Sequence, residues 1–239
     1  MSIINVNEGS VLVVDKPLEW TSFDVVNKIR HTLVKHLHKF KIIELGTKRK
    51  IKVGHAGTLD PLATGVLVVC IGKETKNIDA YMASEKEYTG TFFLGATTAS
   101  YDRETQTENE ADITYLNPET IYATTAQFTG VLQQLPPMHS AIKKDGKRLY
   151  ESARAGEEVE LTPRTVEIKQ FEITQVNLPF VDFKVICSKG TYIRSLAHDF
   201  GKALGCGAYL YALCRTRSGN FEIKDALTVE QVVQIIETA

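Results

Sequence analysis

Asp60 stands in the run Gly54-His55-Ala56-Gly57-Thr58-Leu59-Asp60-Pro61-Leu62-Ala63-Thr64-Gly65, a lone carboxylate at a glycine-framed bend that leads into an apolar stretch over residues 66–71. A carboxylate so placed can serve as a nucleophile or a base if it stays ionised when water is excluded, and a nearby guanidinium favours that charged form. The run Ser188-Lys189-Gly190-Thr191-Tyr192-Ile193-Arg194 offers Arg194 as the partner. Tyr192 lies two residues earlier, so in an extended stretch both side chains point to one side. A plainer reading competes and, on residue types alone, leads: Asp60-Pro61 forms a turn, where Asp before Pro is common, and Tyr192 opens a helix.

Other chemistries find less support. A phosphate loop ending at Gly72-Lys73 needs glycine at 67 and Ser or Thr at 74, where the chain has Leu67 and Glu74. No dinucleotide fingerprint occurs, nor a Gly-x-Ser-x-Gly elbow for serine acyl transfer. Cys70, Cys187, Cys206 and Cys214 form no Cys-x-x-Cys pair and read as buried free thiols. The histidines lack His-x-x-x-His or His-Glu-x-x-His spacing, so no metal is expected.

The elements that must position these groups follow from periodicity. Residues 11–14 are a short β-branched strand stopped at Asp15-Lys16-Pro17. Thr21 and Asp24 make a capping box for a helix with Val25, Val26, Ile29, Leu33 and Leu37 at helical spacing. A loop follows, with a short hairpin through Ile42-Ile43. Residues 66–71 make a second central strand, 74–82 a helix and 87–94 a long strand. Residues 100–118 turn polar and acidic and read as an exposed excursion; 118–128 is a helix begun by proline. Residues 133–156 combine Pro136-Pro137 with Lys143, Lys144, Lys147 and Arg148, as a projecting arm would. Residues 166–176 and 181–187 alternate like paired strands, 192–204 is helical, 209–213 is a strand, and a last helix is capped at Thr228 with Gln231 three residues on. Strands cluster while helices intervene irregularly, so the fold expected is α+β around a mostly antiparallel mixed sheet flanked by helices, in a single domain over 1–239.

The 43% apolar content can fill a core, no window is apolar for the length a membrane span needs, and the N-terminus lacks a leader pattern. A cytoplasmic protein is expected. The net charge of -1 conceals an asymmetry: residues 28–52 hold nine Lys/Arg against one acid, Glu44. A basic segment that close to Gly54 would attract phosphates; taken by itself it reads rather as a solvated loop, and adjacency to Asp60 reverses that preference.

The motif around Asp60 resembles the catalytic motif of the TruB family of tRNA pseudouridine-55 synthases. The resemblance extends to Val13-Val14-Asp15-Lys16-Pro17, to Leu135-Pro136-Pro137-Met138-His139-Ser140-Ala141, to Lys189-Gly190-Thr191-Tyr192-Ile193-Arg194 and to Gly205-Cys206-Gly207-Ala208, in family order over residues 10 to 220. It implies that the chain isomerises a T-loop uridine of tRNA at position 55 by breaking the bond from ribose to N1 and rejoining through C5, without metal or organic cofactor. By the same resemblance Asp60 is the catalytic aspartate; its attack on the sugar, attack on the base and removal of a ribose proton are all compatible with the motif. His55 would fill space vacated in the T-loop, Tyr88 would stack on the flipped uracil, and Tyr192 would act as a proton-transfer group against the base. Arg194 would pair with Asp60 and Leu213 would line the pocket. Apart from the resemblance, His139, His198 and Lys16 are read as mainly structural, with Lys16 helping to hold the active-site loop.

Two departures from the family pattern stand out. The C-terminal PUA domain of many members has no counterpart before Ala239, and the basic connection between Arg30 and Gly54 is lengthened. That connection and the 133–156 arm are expected to supply phosphate contacts. The partner expected is tRNA, engaged by a monomer with no membrane and no obligate protein partner. RNA-guided H/ACA-type synthases share the motifs but usually carry a PUA domain and basic tails. A non-catalytic RNA-binding or RNA-folding protein on the same scaffold is the alternative from another class.

Overall fold

A computed structural model describes residues 4–5, 8–40, 51–139, 143–144, 147–148 and 159–238. In chain order its first elements are β1 (Ser10–Lys16), α1 (Ser22–Lys39), β2 (Val53–Ala56), β3 (Ala63–Ile71), α2 (Ile78–Ala83), β4 (Lys86–Leu94), β5 (Thr97–Thr98), β6 (Thr107–Glu108), α3 (Pro118–Thr124) and β7 (Gly130–Gln134). Then come β8 (Lys143–Lys144), β9 (Lys147–Arg148), β10 (Arg164–Asn177), β11 (Phe180–Cys187), α4 (Ile193–Leu204), β12 (Ala208–Ser218), β13 (Phe221–Glu222), β14 (Leu227–Thr228) and α5 (Val229–Thr238). The chain divides into two compact units, one made of residues 1–87 with 214–239 and the other of residues 88–213.

In the first unit β3 is the organising strand. It runs antiparallel to β1, Ser10 facing Ile71 and Lys16 facing Gly65, and antiparallel to β2, with His55 facing Val69. Strand β14 extends the sheet parallel to β1. Both faces of β3 are covered, which is why its sequence is apolar without alternation. Leu67, Val69 and Ile71 pack under α1 and α5, whereas Val66, Val68 and Cys70 pack beside Ile78, Tyr81 and Phe221. Helix α1 begins at the expected capping box: Thr21 Oγ1 accepts from the Asp24 amide while Asp24 accepts from the Thr21 amide, and Val25, Val26, Ile29 and Leu33 are buried. Helix α5 is capped at Thr228, whose Oγ1 accepts from the Gln231 amide.

The second unit lays α3 and α4 against a sheet of order β12-β4-β11-β10-β7. Strands β10 and β11 pair antiparallel, as do β10 and β7. Its core is aromatic: the rings of Phe92 and Phe183 stack with centroids 4.1 Å apart, and Phe171 and Phe200 meet edge to face at 5.3 Å. The α+β class, with its mixed sheet and flanking helices, is as expected.

Several boundaries differ from the expectations. Residues 72–77 form a 3₁₀ stretch before α2. The strand placed at 209–213 runs on to Ser218 through Arg215, which is buried. The 100–118 excursion is rooted in the core, because Ser100 and Asp102 are buried. The helix placed at 192–204 starts at Ile193, with Tyr192 extended at its N-cap, so Tyr192 and Arg194 do not lie in one extended stretch and the same-side argument does not hold. The Ile42-Ile43 hairpin lies outside the described residues, as does most of the 133–156 arm beyond His139; within the arm, β8 and β9 pair antiparallel.

Candidate active site

Asp60 sits on a loop joining β2 to β3 in the first unit, and the loop is fixed chiefly through its main chain. The Ala63 amide donates to the Asp60 carbonyl at 3.0 Å, closing a tight turn. Ser22, at the start of α1, holds the preceding residue from both sides: its Oγ accepts from the Leu59 amide at 2.9 Å and donates to the Leu59 carbonyl at 3.1 Å. The Pro61 carbonyl accepts from the Glu19 amide at 2.8 Å and from Lys16 Nζ at 3.3 Å. Where β3 begins, Asp15 Oδ1 takes the Gly65 amide at 3.1 Å.

Two buried cations frame this loop. Lys16 is 0% exposed and donates also to the carbonyls of Pro17 and Trp20. Burial draws its ammonium down to about 8, against the pull of Asp60, Asp15 and Asp24, which favour the charged form. Arg215, 1% exposed, donates from Nε to the Val66 carbonyl at 2.7 Å and from Nη2 to the Gly57 carbonyl at 3.0 Å. His55 is half-buried on β2; burial, then the Arg215 charge, hold its imidazole below the ordinary histidine range, so it is neutral near pH 7.

The remaining candidates belong to the second unit. Tyr88 on β4 and Leu213 on β12 are half-buried and pack against the aromatic core. Tyr192 is held by Gln134, whose Oε1 accepts its amide at 2.8 Å and whose Nε2 donates to its carbonyl at 3.1 Å. Arg194, 4% exposed in the first turn of α4, donates to the Ser100 carbonyl at 3.3 Å and pairs with Asp102 at 3.6 Å. Asp102 is in turn fixed by Ser100 Oγ at 2.6 Å and by the Glu104 amide at 2.9 Å. Ser195 Oγ donates to the Leu135 carbonyl at 2.7 Å, tying the start of α4 to the Leu135-Pro136-Pro137 segment.

Sequence reasoning passed over Arg215, Ser22, Gln134 and Asp102. Arg215 and Gln134 carried one signal, a polar side chain inside or beside an apolar run. Each also acts on backbone or charge far away in the sequence, as Arg215 does on Gly57 across 158 positions. Cys70, Cys187 and Cys206 are buried free thiols, and burial pushes the Cys70 thiol up to about 11, which makes it unreactive. Among the described residues, no three His, Cys, Asp or Glu side chains gather as a metal site would require, and no helix is long and apolar enough to cross a membrane.

Residues 43–193 match the TruB family pseudouridylate synthase N-terminal domain, and residues 194–239 match the tRNA pseudouridylate synthase B C-terminal domain. The tRNA pseudouridine synthase B of Flavobacterium johnsoniae is 51% identical, over 93% of this chain and 93% of that protein. That of Phocaeicola vulgatus is 49% identical, over 95% and 93%. Among solved structures, a chain of a Cbf5-Nop10-Gar1 complex is similar with a TM-score of 0.69 at 30% identity, covering 96% of this chain and 54% of that one. A chain of an H/ACA RNP bound to a substrate RNA containing 2'-deoxyuridine gives 0.66 at 28%, over 96% and 53%. This chain thus spans about half the length of those two, but nearly the whole of its curated relatives. By its match to these synthases over nearly its whole length, and to both domains over residues 43–239, the chain belongs to the TruB family of pseudouridylate synthases.

Proposed function

We propose that this protein converts a uridine in the T-loop of tRNA, at position 55, into pseudouridine, with Asp60 as the catalytic carboxylate. The reaction breaks the bond from C1′ of the ribose to N1, turns the base and forms a bond from C1′ to C5. N1 gains a proton and C5 loses one, so substrate and product are isomers and no oxidant or reductant enters. The observation that carries the reading is the Asp60 loop. Its main chain is fixed by Ser22, Lys16 and Arg215, so the carboxylate presented by a tight turn has little freedom to wander.

The other roles follow in the same proposal. A uridine folded into a loop must be extruded, at a cost of a few kcal/mol. Stacking on Tyr88, worth roughly 1–3 kcal/mol, offsets much of that. His55, kept neutral, fills space left in the RNA; Tyr192 moves a proton at the base; Leu213 lines the pocket; Arg194 keeps the reacting carboxylate charged. The protein acts as a single chain in the cytoplasm, without an obligate protein partner, in one catalytic domain. Curated relatives of nearly the same length favour this stand-alone reading over an RNA-guided one.

Phosphate contacts come from the basic segment over residues 28–52 and the 133–156 arm. In the described part, Lys28, Lys35 and Lys39 are exposed on α1. Neutralising Lys48, Arg49, Lys50 and Lys52 is expected to weaken tRNA binding and flatten its salt dependence by about 0.7–0.9 in slope for each phosphate no longer neutralised. Unchanged binding across a salt series removes that assignment.

The reaction itself is tested by tritium release from C5-labelled uridine in T-loop RNA. The native chain is expected to release label, and Asp60→Asn to do so about a thousandfold more slowly or not at all. Equal, negligible release from both would leave RNA binding without catalysis.

A further inference from the structure

We propose that Arg215 is a positioning residue for this reaction: it ties the entry of the Asp60 loop, at Gly57, to the strand that follows the loop, at Val66 on β3, and so sets where the carboxylate stands. The inference rests on Asp60 being the reacting carboxylate. One guanidinium reaches the chain before Asp60, at the Gly57 carbonyl 3.0 Å from Nη2, and after it, at the Val66 carbonyl 2.7 Å from Nε. A planar fork holds its donors at fixed angles, so two acceptors bound to one fork are fixed relative to each other as well as to the arginine.

The loop is shaped around this residue, by its side chain at Gly57 and by its main chain at Gly65. Gly57 has φ +94, and a Cβ there would stand 3.3 Å from Arg215 Nη1. Gly65 has φ +99, and its Cβ would fall 2.4 Å from the Arg215 carbonyl oxygen. Glycine is therefore required at both ends of the Asp60 turn, on conformational grounds and because Arg215 lies against it. Arg215 is among the largest fully buried side chains, and among the described residues no carboxylate pairs with it. A buried charge solvated by two carbonyls that flank one loop is costly as mere scaffolding. It makes sense as a device that dictates the geometry between those carbonyls.

The test compares the full-length native chain with Arg215→Met, Arg215→Lys and Asp60→Asn in the tritium-release assay, with a thermal melt for each to fix a temperature at which it is folded. Arg215→Met is expected to lower kcat by about tenfold to a hundredfold while KM stays near native, because a displaced carboxylate loses transition-state stabilisation and leaves RNA binding intact. Arg215→Lys, whose single ammonium cannot reproduce the fork, is expected to fall between Arg215→Met and native. A folded Arg215→Met with native kcat overturns the proposal. Should Arg215→Met fail to fold, Arg215→Lys decides: native kcat overturns the proposal and a reduced kcat at native KM supports it. Native-like turnover by Asp60→Asn would overturn the catalytic reading itself. An inactive Asp60→Asn beside native-like Arg215 variants would overturn only the clasp.

Discussion

In the first unit, the segment carrying Asp60 is gripped through its main chain by cations, Lys16 on Pro61 and Arg215 on Gly57 and Val66. In the second unit, Tyr192 is gripped through its main chain by the neutral carboxamide of Gln134, and Arg194 is held through its own guanidinium by Asp102 and the Ser100 carbonyl. The difference lies in how buried charge is settled. Lys16 and Arg215 are solvated by backbone dipoles, and the field they cast falls on the loop, where positive charge favours an ionised carboxylate. Arg194 has a buried carboxylate 3.6 Å away, so its position is set by a partner as well as by the backbone. One unit fixes a backbone and thereby aims an acid; the other fixes a cation directly.

This contrast is most exposed to failure at Asp102. Asp102→Ala strips a counter-charge from a buried guanidinium and is expected to destabilise the protein by about 3–5 kcal/mol in urea unfolding. A loss below that of Lys16→Met would break the contrast. Lys16→Met removes a donor from three carbonyls but also a desolvated charge, and the opposed effects leave an expected loss of about 2 kcal/mol.

The pH dependence of Lys16 sharpens the contrast. Its ammonium lies at about 8 in the folded chain against an ordinary 10.5, so between those values the unfolded chain holds the extra proton. Stability then rises with pH for the native protein across that window, relative to Lys16→Met, which lacks the group. Denaturant melts at about pH 7.5 and about pH 10 should show the gap between the two widening. A gap that narrows would mean the ammonium is stabilised in place rather than desolvated. Smallest is Gln134→Ala, expected to cost about 1–2 kcal/mol through its two lost bonds and to speed hydrogen exchange at the Tyr192 amide.

Local signals in the sequence translated well into structure. The capping boxes at Thr21 and Thr228 bind partners three residues away, and the alternation over 166–176 and 181–187 becomes the β10 and β11 pair. The Asp60 bend was visible because its glycines and proline act on the nearest residues. Arg215 was not visible. A strand reading stops at Cys214-Arg215 because an arginine there looks like an exit to solvent, whereas its charge is met by carbonyls contributed from residues 57 and 66. Asp102 was hidden in an acidic stretch, with nothing local to separate it from its exposed neighbours Arg103 and Glu110. Tyr192 was misplaced by one helical position, because the constraint that keeps it extended is a side chain 58 residues earlier.

The separation of Gly57 from Arg215 by 158 positions sets a timetable for biosynthesis. At about 5–20 residues per second, the ribosome needs roughly 8–30 s after making the Asp60 loop to deliver the side chain that clasps it. All of residues 88–213 emerge in that interval and can begin to fold first. A nascent chain therefore carries its acid long before that acid is aimed, and a polypeptide cut short before Arg215 would carry the Asp60 loop unclasped.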